Sequence, residues 1–314
     1  MRQRSWSMAW RALLPVVVLA AWAAGRACAQ STQPAIDEGA DSIRKFSLAP
    51  EDTSVYAPPT APREDEGVNA GGVNFDLSVN YTSAYIYRGV DYDKAVKQPD
   101  SANAQFEGLL EFNLGRLPHP FVGVFSNVFD SDPKSRFQEF RPFAGLELTL
   151  RPFTIATGVT SYIYPEREDF NTSEGWLKVT FDDSFLFGTD QPIFTPYVFG
   201  AYDYVLNDGF YVEAGVKHEF PIQDTPLKFT ALADGAYVSH YRDQFVHVSP
   251  DRTGFQHYDV GVIATYNLNQ LFKIPNRYGQ FSITGYVYYT NGIENDRFHA
   301  ANELWGGGGI SFHY

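Results

Sequence analysis

The chain of 314 residues carries 37 acidic against 24 basic side chains, a net charge of −13, one cysteine and 16% aromatic residues, at a negative mean hydropathy. That acidic balance argues against nucleic acid or an anionic membrane surface as a partner. Many tyrosines and phenylalanines in a chain that is polar on average fit alternating strands, in a membrane barrel or in a soluble sandwich.

The first segment has the pattern of an export signal. Arg2, Arg4 and Arg11 make a basic region, residues 12–24 are apolar, and Ala27-Cys28-Ala29 places small residues at a cleavage point before Gln30. The apolar run is too short for a spanning helix. Lipidation at Cys28 is disfavoured, because Gly25-Arg26-Ala27 lacks the apolar lead-in of such a signal. Cleavage after Ala29 removes the cysteine and four arginines, so the mature chain carries −17. It then has no disulfide, no thiolate nucleophile and no cysteine-based metal site. Residues 30–72 are acidic, contain Ala57-Pro58-Pro59-Thr60-Ala61-Pro62 and lack hydrophobic periodicity. They read as a disordered periplasmic leader, with a plug inside a barrel as the sharper alternative.

From Val73 the pattern has period two. Phe75, Leu77, Val79, Tyr81, Tyr85 and Tyr87 share one face of the first strand, opposite Asn74, Asp76, Ser78, Asn80, Thr82 and Arg88. The same rhythm predicts strands over 73–89, 102–115, 120–129, 137–151, 153–164, 173–182, 194–206, 209–220, 226–241, 254–268, 279–291 and 302–314. Breaker-rich turns support the division, among them Arg116-Leu117-Pro118-His119-Pro120 and Asn207-Asp208-Gly209. Two connections fit poorly: Asn207-Asp208 is short for an outward loop, and 183–193 is long for a periplasmic turn.

A soluble sandwich has strands of about five or six residues, whereas spanning lipid takes about 9–11 tilted residues. The predicted strands are long enough to span. Tyr85, Tyr87, Tyr162, Tyr164, Tyr202, Tyr204, Tyr286, Tyr288 and Tyr289 fall near strand ends, where an interface belt is expected. The last strand places Leu304, Ile310, Phe312 and Tyr314 on one face and Glu303, Ser311 and His313 on the other. Its terminal Ile310, Phe312 and Tyr314 read as a signal for the outer-membrane assembly machinery. The glycines at 306–309 predict close backbone approach or a bend, in a strand expected to pair with the first. The expected fold is all-β: a transmembrane antiparallel up-and-down β-barrel of about twelve strands over 73–314, after a signal peptide (1–29) and a leader (30–72).

The run Asn80-Tyr81-Thr82-Ser83-Ala84-Tyr85-Ile86-Tyr87-Arg88-Gly89-Val90 resembles the first-strand signature of TorF-type porins, and Ser126-Asn127-Val128-Phe129-Asp130 is similar to a second motif of that family. The resemblance covers residues 73–130. It implies an outer-membrane location and a pore; the acidic, Pro-rich leader departs from the family pattern.

Functional chemistry in such a barrel is expected on its polar wall. By parity that wall holds Asp76, Arg88, Glu107, Glu111, Glu139, Arg141, Glu147, Lys178, Asp203, Glu213, Lys217, Glu219, Lys228, Asp234, Asp259 and Glu303. Acids outnumber bases, so an open lumen favours cations or neutral polar solutes. Alternatively, paired charges fill a narrow bore, with Arg88 neutralised by neighbours such as Glu107. Arg88 stands out because it ends the first predicted strand and precedes Gly89, which suits a bend. The expected function is passive passage of small polar solutes across the outer membrane, with lipid and those solutes as partners. A plugged structural barrel, or a lipid-modifying enzyme, is the alternative. For the enzyme, His218 and Ser239 are expected at opposite membrane depths, unable to converge. No catalytic residue, metal site or cofactor is expected, because no metal-ligand spacing is present.

Overall fold

Twelve antiparallel strands close into a barrel in the computed structural model, which describes residues 72–92, 102–129, 138–165, 167–222, 225–241, 252–293 and 301–314. The predicted signal peptide and leader lie outside the described residues. The wall strands are β1 (Val73–Thr82), β4 (Asn103–Phe112), β5 (His119–Phe129), β6 (Gln138–Leu150), β7 (Phe153–Tyr162), β8 (Thr172–Phe181), β9 (Tyr197–Asp203), β10 (Gly209–Pro221), β11 (Leu227–Tyr241), β12 (Arg252–Asn267), β13 (Gln280–Gly292) and β14 (Asn302–His313). Two short strands, β2 (Ile86–Tyr87) and β3 (Val90–Asp91), pair only with each other.

Closure follows the expected register. β14 pairs with β13 and with β1, from Asp76 opposite His313 to Thr82 opposite Gly307. Tyr314 and Phe75 exchange both backbone hydrogen bonds, at 2.7 and 2.8 Å, and Phe312 packs between Phe281 (ring centroids 4.7 Å apart) and Phe75 (6.4 Å). No sheet edge is left in such a ring, which removes the pairing hazard of an open sheet. Chain closure brings both ends of the barrel segment to one rim, here the turn rim; the opposite rim, where β1 ends at Thr82, is the loop rim.

The outer face is apolar. Leu77, Val79, Val198, Val262, Val287 and Ile310 are all 44–57% exposed, while the alternate positions on their strands turn inward, some polar or small and others packed aromatics such as Phe199, Tyr286 and Tyr288. Exposed aromatics border this band differently at each end. Tyr81, Tyr237 and Tyr258 lie toward the loop rim, whereas Phe112, Phe153, Phe220 and Phe272 lie toward the turn rim. The predicted tyrosine belt is therefore corrected. Tyr202, Tyr204 and Tyr289 are part-exposed or exposed, but Tyr85, Tyr87, Tyr162, Tyr164, Tyr286 and Tyr288 are buried inside the barrel.

The two awkward connections have specific supports. The long one, 182–196, contains the single-turn helix α1 (Ser184–Phe187), and the Asp183 carboxylate accepts from the amides of Ile193 (2.7 Å) and Phe194 (2.9 Å). The short one turns on Asp203, whose carboxylate accepts from the amides of residues 205, 206 and 207, the Asn207 side chain and the Thr172 hydroxyl. A buried carboxylate that gathers several donors replaces the water it lost. That is how a tight turn joins β9 to β10 at the loop rim.

Candidate functional site

The sixteen charged positions predicted for the polar wall do not form one open surface. Asp76, Glu107, Lys178, Glu213, Lys217, Glu219, Asp234 and Glu303 are partly accessible. Arg88, Glu111, Glu139, Arg141, Glu147, Asp203, Lys228 and Asp259 are buried. Asp203 belongs to its turn, and the Glu111 carboxylate meets His119 Nδ1 at 3.0 Å. Arg88, Glu139, Arg141 and Asp259 gather around a segment that the sequence placed in the wall, whereas Glu147 lies opposite His119 at the other end of the barrel.

That segment is the hairpin β2–β3. β1 leaves the wall after Thr82, and residues 83–92 turn into the lumen, with Tyr85 and Ile86 both 0% exposed. A two-residue turn at Arg88-Gly89 reverses the chain. Both residues have positive φ, 51° and 70°, as a tight two-residue hairpin turn requires. Period two continues through the hairpin, so it presents two faces. Tyr85, Tyr87, Val90 and Tyr92 pack with Phe125, Tyr162, Tyr164 and Phe170. Ala84 and Ile86 pack with Leu232, Ile263, Tyr286, Tyr288, Ala301 and Trp305 from the other side. Both faces being apolar, the hairpin is held by walls on both sides of the bore.

Polar contacts fix its position. At the base, the amide of Ser83 donates to the carbonyl of Gly306 (2.8 Å) and the amide of Gly306 donates to Ser83 Oγ (3.1 Å). At the tip, the Arg88 guanidinium forms a two-pronged bond to Glu174 on β8, at 2.9 and 2.7 Å, with Cζ 4.3 Å from the Tyr211 ring centroid. The sequence offered Glu107 as an example of a neutralising neighbour; the two-pronged bond is made to Glu174. The Gly89 carbonyl accepts from the amide of Ala301 at 2.9 Å.

Glu174 in turn accepts from the Tyr162 hydroxyl (2.7 Å), which is 2.6 Å from that of Tyr87. A second ion pair lies on β6. Arg141 bonds Glu139 and the Tyr85 hydroxyl, Tyr85 also bonds Glu139, and the guanidinium carbon sits 3.8 Å from the Tyr87 ring centroid. Buried ion pairs persist when their remaining donors and acceptors are satisfied, and here tyrosine hydroxyls and ring faces do that. Glu174 shares its face with Lys178 on β8 and lies within the predicted strand 173–182, so strand parity alone places it on the polar wall.

The pair considered for hydrolysis does not form. Ser239 pairs with Phe210, far along β10 from His218, whose Nδ1 meets the carbonyl of Ile193. Ser239 Oγ lies instead 3.1 Å from Nδ1 of His240, which is exposed. Among the described residues no carboxylate orients that ring.

No family model and no curated protein matches the chain. Among solved structures it is similar to the KdgM porin (TM-score 0.42, 8% identity, over 76% of this chain and 98% of that one). It is also similar to the COG4313 outer membrane channel from Pseudomonas putida F1 (0.42, 9%, 81% and 100%) and to a Pseudomonas aeruginosa FadL homologue (0.34, 10%, 77% and 89%). At that distance no property of those proteins transfers to this chain.

Proposed function

We propose that the chain is an outer-membrane channel for small polar solutes, with a narrow, mainly acidic lumen that the hairpin β2–β3 constricts. The observation that carries this reading is the sidedness of the wall. Apolar residues circle the outside at 44–57% exposure, while the charged and amide side chains of the wall turn inward beside packed aromatics such as Phe143, Trp176 and Phe199; a continuous apolar outer belt is the face a barrel turns to lipid. Aromatic residues at both rims support it. Of the eight partly accessible charges among the described wall positions, six are acids and two are lysines, which favours cations and neutral solutes over anions. Outer-membrane lipid then contacts the apolar band, and Ile310, Phe312 and Tyr314 stand where an assembly signal would be read.

A plugged, structural barrel is the second reading, favoured by the burial of the hairpin on both faces. Planar-bilayer recording of the refolded mature chain separates the two. A small, cation-selective conductance is expected; none at all, with residues 30–72 present or deleted, would leave only the plugged barrel. The membrane setting has its own test in Val262, which is 50% exposed in the middle of β12. Val262→Arg is expected to lower folding stability in lipid vesicles by about 2–4 kcal/mol, the cost of a guanidinium near the bilayer centre. A loss under about 0.5 kcal/mol, usual for a water-exposed surface position, would sink the lipid-facing assignment.

A further inference from the structure

Strand pairing assembles a group of ligating side chains that sequence spacing hides. Glu213 on β10, Asp234 on β11 and His257 on β12 place one ligand atom each within 4.8 Å of the others. The ladder explains it. Asp234 stands opposite Gly215 on one side and Asp259 on the other, and Ala236 links Glu213 to His257. All three face the lumen.

We propose that Glu213, Asp234 and His257 bind a divalent transition-metal ion, zinc being the ion used to test it. One imidazole and two carboxylates suit zinc, copper or nickel, whereas calcium and magnesium prefer all-oxygen sets. The surroundings are those of a built site, because each of two ligands is oriented by a neighbour. Tyr197 and Tyr211 hydroxyls donate to the two oxygens of Glu213, at 2.7 and 2.6 Å, leaving further lone pairs for a metal. Asp259 Oδ2 lies 3.2 Å from His257 Nε2, the carboxylate–histidine arrangement that fixes a ligating ring. The same ring stacks on Tyr211, with centroids 6.2 Å apart and planes 20° apart. Next to His257 in the chain is Gln256, the extra residue of the β12 bulge. It is 1% exposed, and neither atom of its amide has a hydrogen-bond partner among the described residues.

Glu213, Asp234 and Asp259 bring three carboxylates to the patch, and two ammonium groups, Lys178 and Lys217, lie nearby over the Tyr197 ring, 4.7 and 5.6 Å from its centroid. Three protein ligands leave a coordination position for water or a solute. The site also adjoins the hairpin tip, since a Cβ on Gly89 would run into the His257 ring.

The test uses the refolded, chelator-treated mature chain in detergent, titrated with zinc chloride by calorimetry, with bound metal counted after gel filtration. One equivalent is expected, binding at least tenfold tighter than magnesium. Glu213→Gln, Asp234→Asn and His257→Ala are each expected to weaken zinc binding by tenfold or more, and Asp259→Asn, which removes no ligand, by about 10–100-fold. Barrel formation of each variant is checked by circular dichroism, and any that folds is sufficient to decide. Zinc binding that survives unchanged in the folded variants, or no stoichiometric binding by the parent chain, overturns the proposal. Conductance plays no part in the measurement, so the result is independent of the channel reading.

Discussion

Deleting the hairpin residues 84–91 is expected to raise single-channel conductance several-fold, whereas Arg88→Ala is expected to leave the main level in place and add brief openings to the larger one. The difference follows from what holds the hairpin. Arg88 and Glu174 are 6% and 2% exposed at their side chains, and removing one partner of such a buried pair costs about 3–5 kcal/mol. That cost falls on the seated hairpin, because the Glu174 carboxylate would lose its two-pronged guanidinium partner. Opposing it is the apolar burial of Tyr85, Ile86 and Tyr87, at 5% exposure or less, each contributing about 1.5–3 kcal/mol. The apolar sum exceeds the loss, so the single variant keeps the hairpin seated for most of the time. Adding Glu174→Gln to Arg88→Ala removes the stranded charge and is expected to suppress the openings again. Unchanged conductance after the deletion would show that the constriction lies elsewhere. If Arg88→Ala lowers stability alone, the residue is a structural clamp.

The reading of Tyr85, Tyr87 and Arg88 shows where sequence legibility stopped. Twelve strands, their alternation and the closing pair were all visible, because one face of each strand meets an apolar surround and the other does not. Lipid and a packed protein interior impose the same preference, however. Tyr85 and Tyr87 continue the rhythm of Phe75, Leu77 and Val79, yet they pack inside the bore while those three face outward. Two cues were present. A first strand predicted to run over 73–89 is much longer than the 9–11 residues a tilted span needs. Arg88-Gly89 between Ile86-Tyr87 and Val90-Asp91 also has the layout of a two-residue hairpin, although arginine is an unusual first residue for that turn. The group Glu213, Asp234 and His257 offered less. Its members lie more than twenty residues apart in sequence, so only the strand register brings them together.

The glycines of β14 were legible as a place of close approach, and the largest stability effect from a small side chain is expected there. Gly307 stands opposite Thr82 on β1 and opposite Tyr286 on β13, at the seam where the barrel closes. A Cβ at Gly307 would meet the carbonyl oxygen of Tyr81 and the ring and hydroxyl of Tyr286. The first obstacle is backbone and has no rotamer to change. The second cannot swing away freely, because the Tyr286 ring is packed on Tyr288 (centroids 5.8 Å apart) and Trp305 (6.2 Å), in the cluster that supports Ile86 of the hairpin. Overfilling a packed site costs about 1–3 kcal/mol, and here the strain falls on the β1–β14 pairing itself. Gly307→Val is therefore expected to lower stability by at least that much in urea titration from lipid vesicles, and to reduce refolding yield. Gly200, in the middle of β9 with nothing within 4 Å of its Cβ position, supplies the control. Gly200→Val is expected to be neutral or mildly stabilising, since it limits the unfolded chain without crowding the folded one. Equal stability of the two variants would mean that the seam has slack, and that Tyr286 is not pinned between β14 and the hairpin.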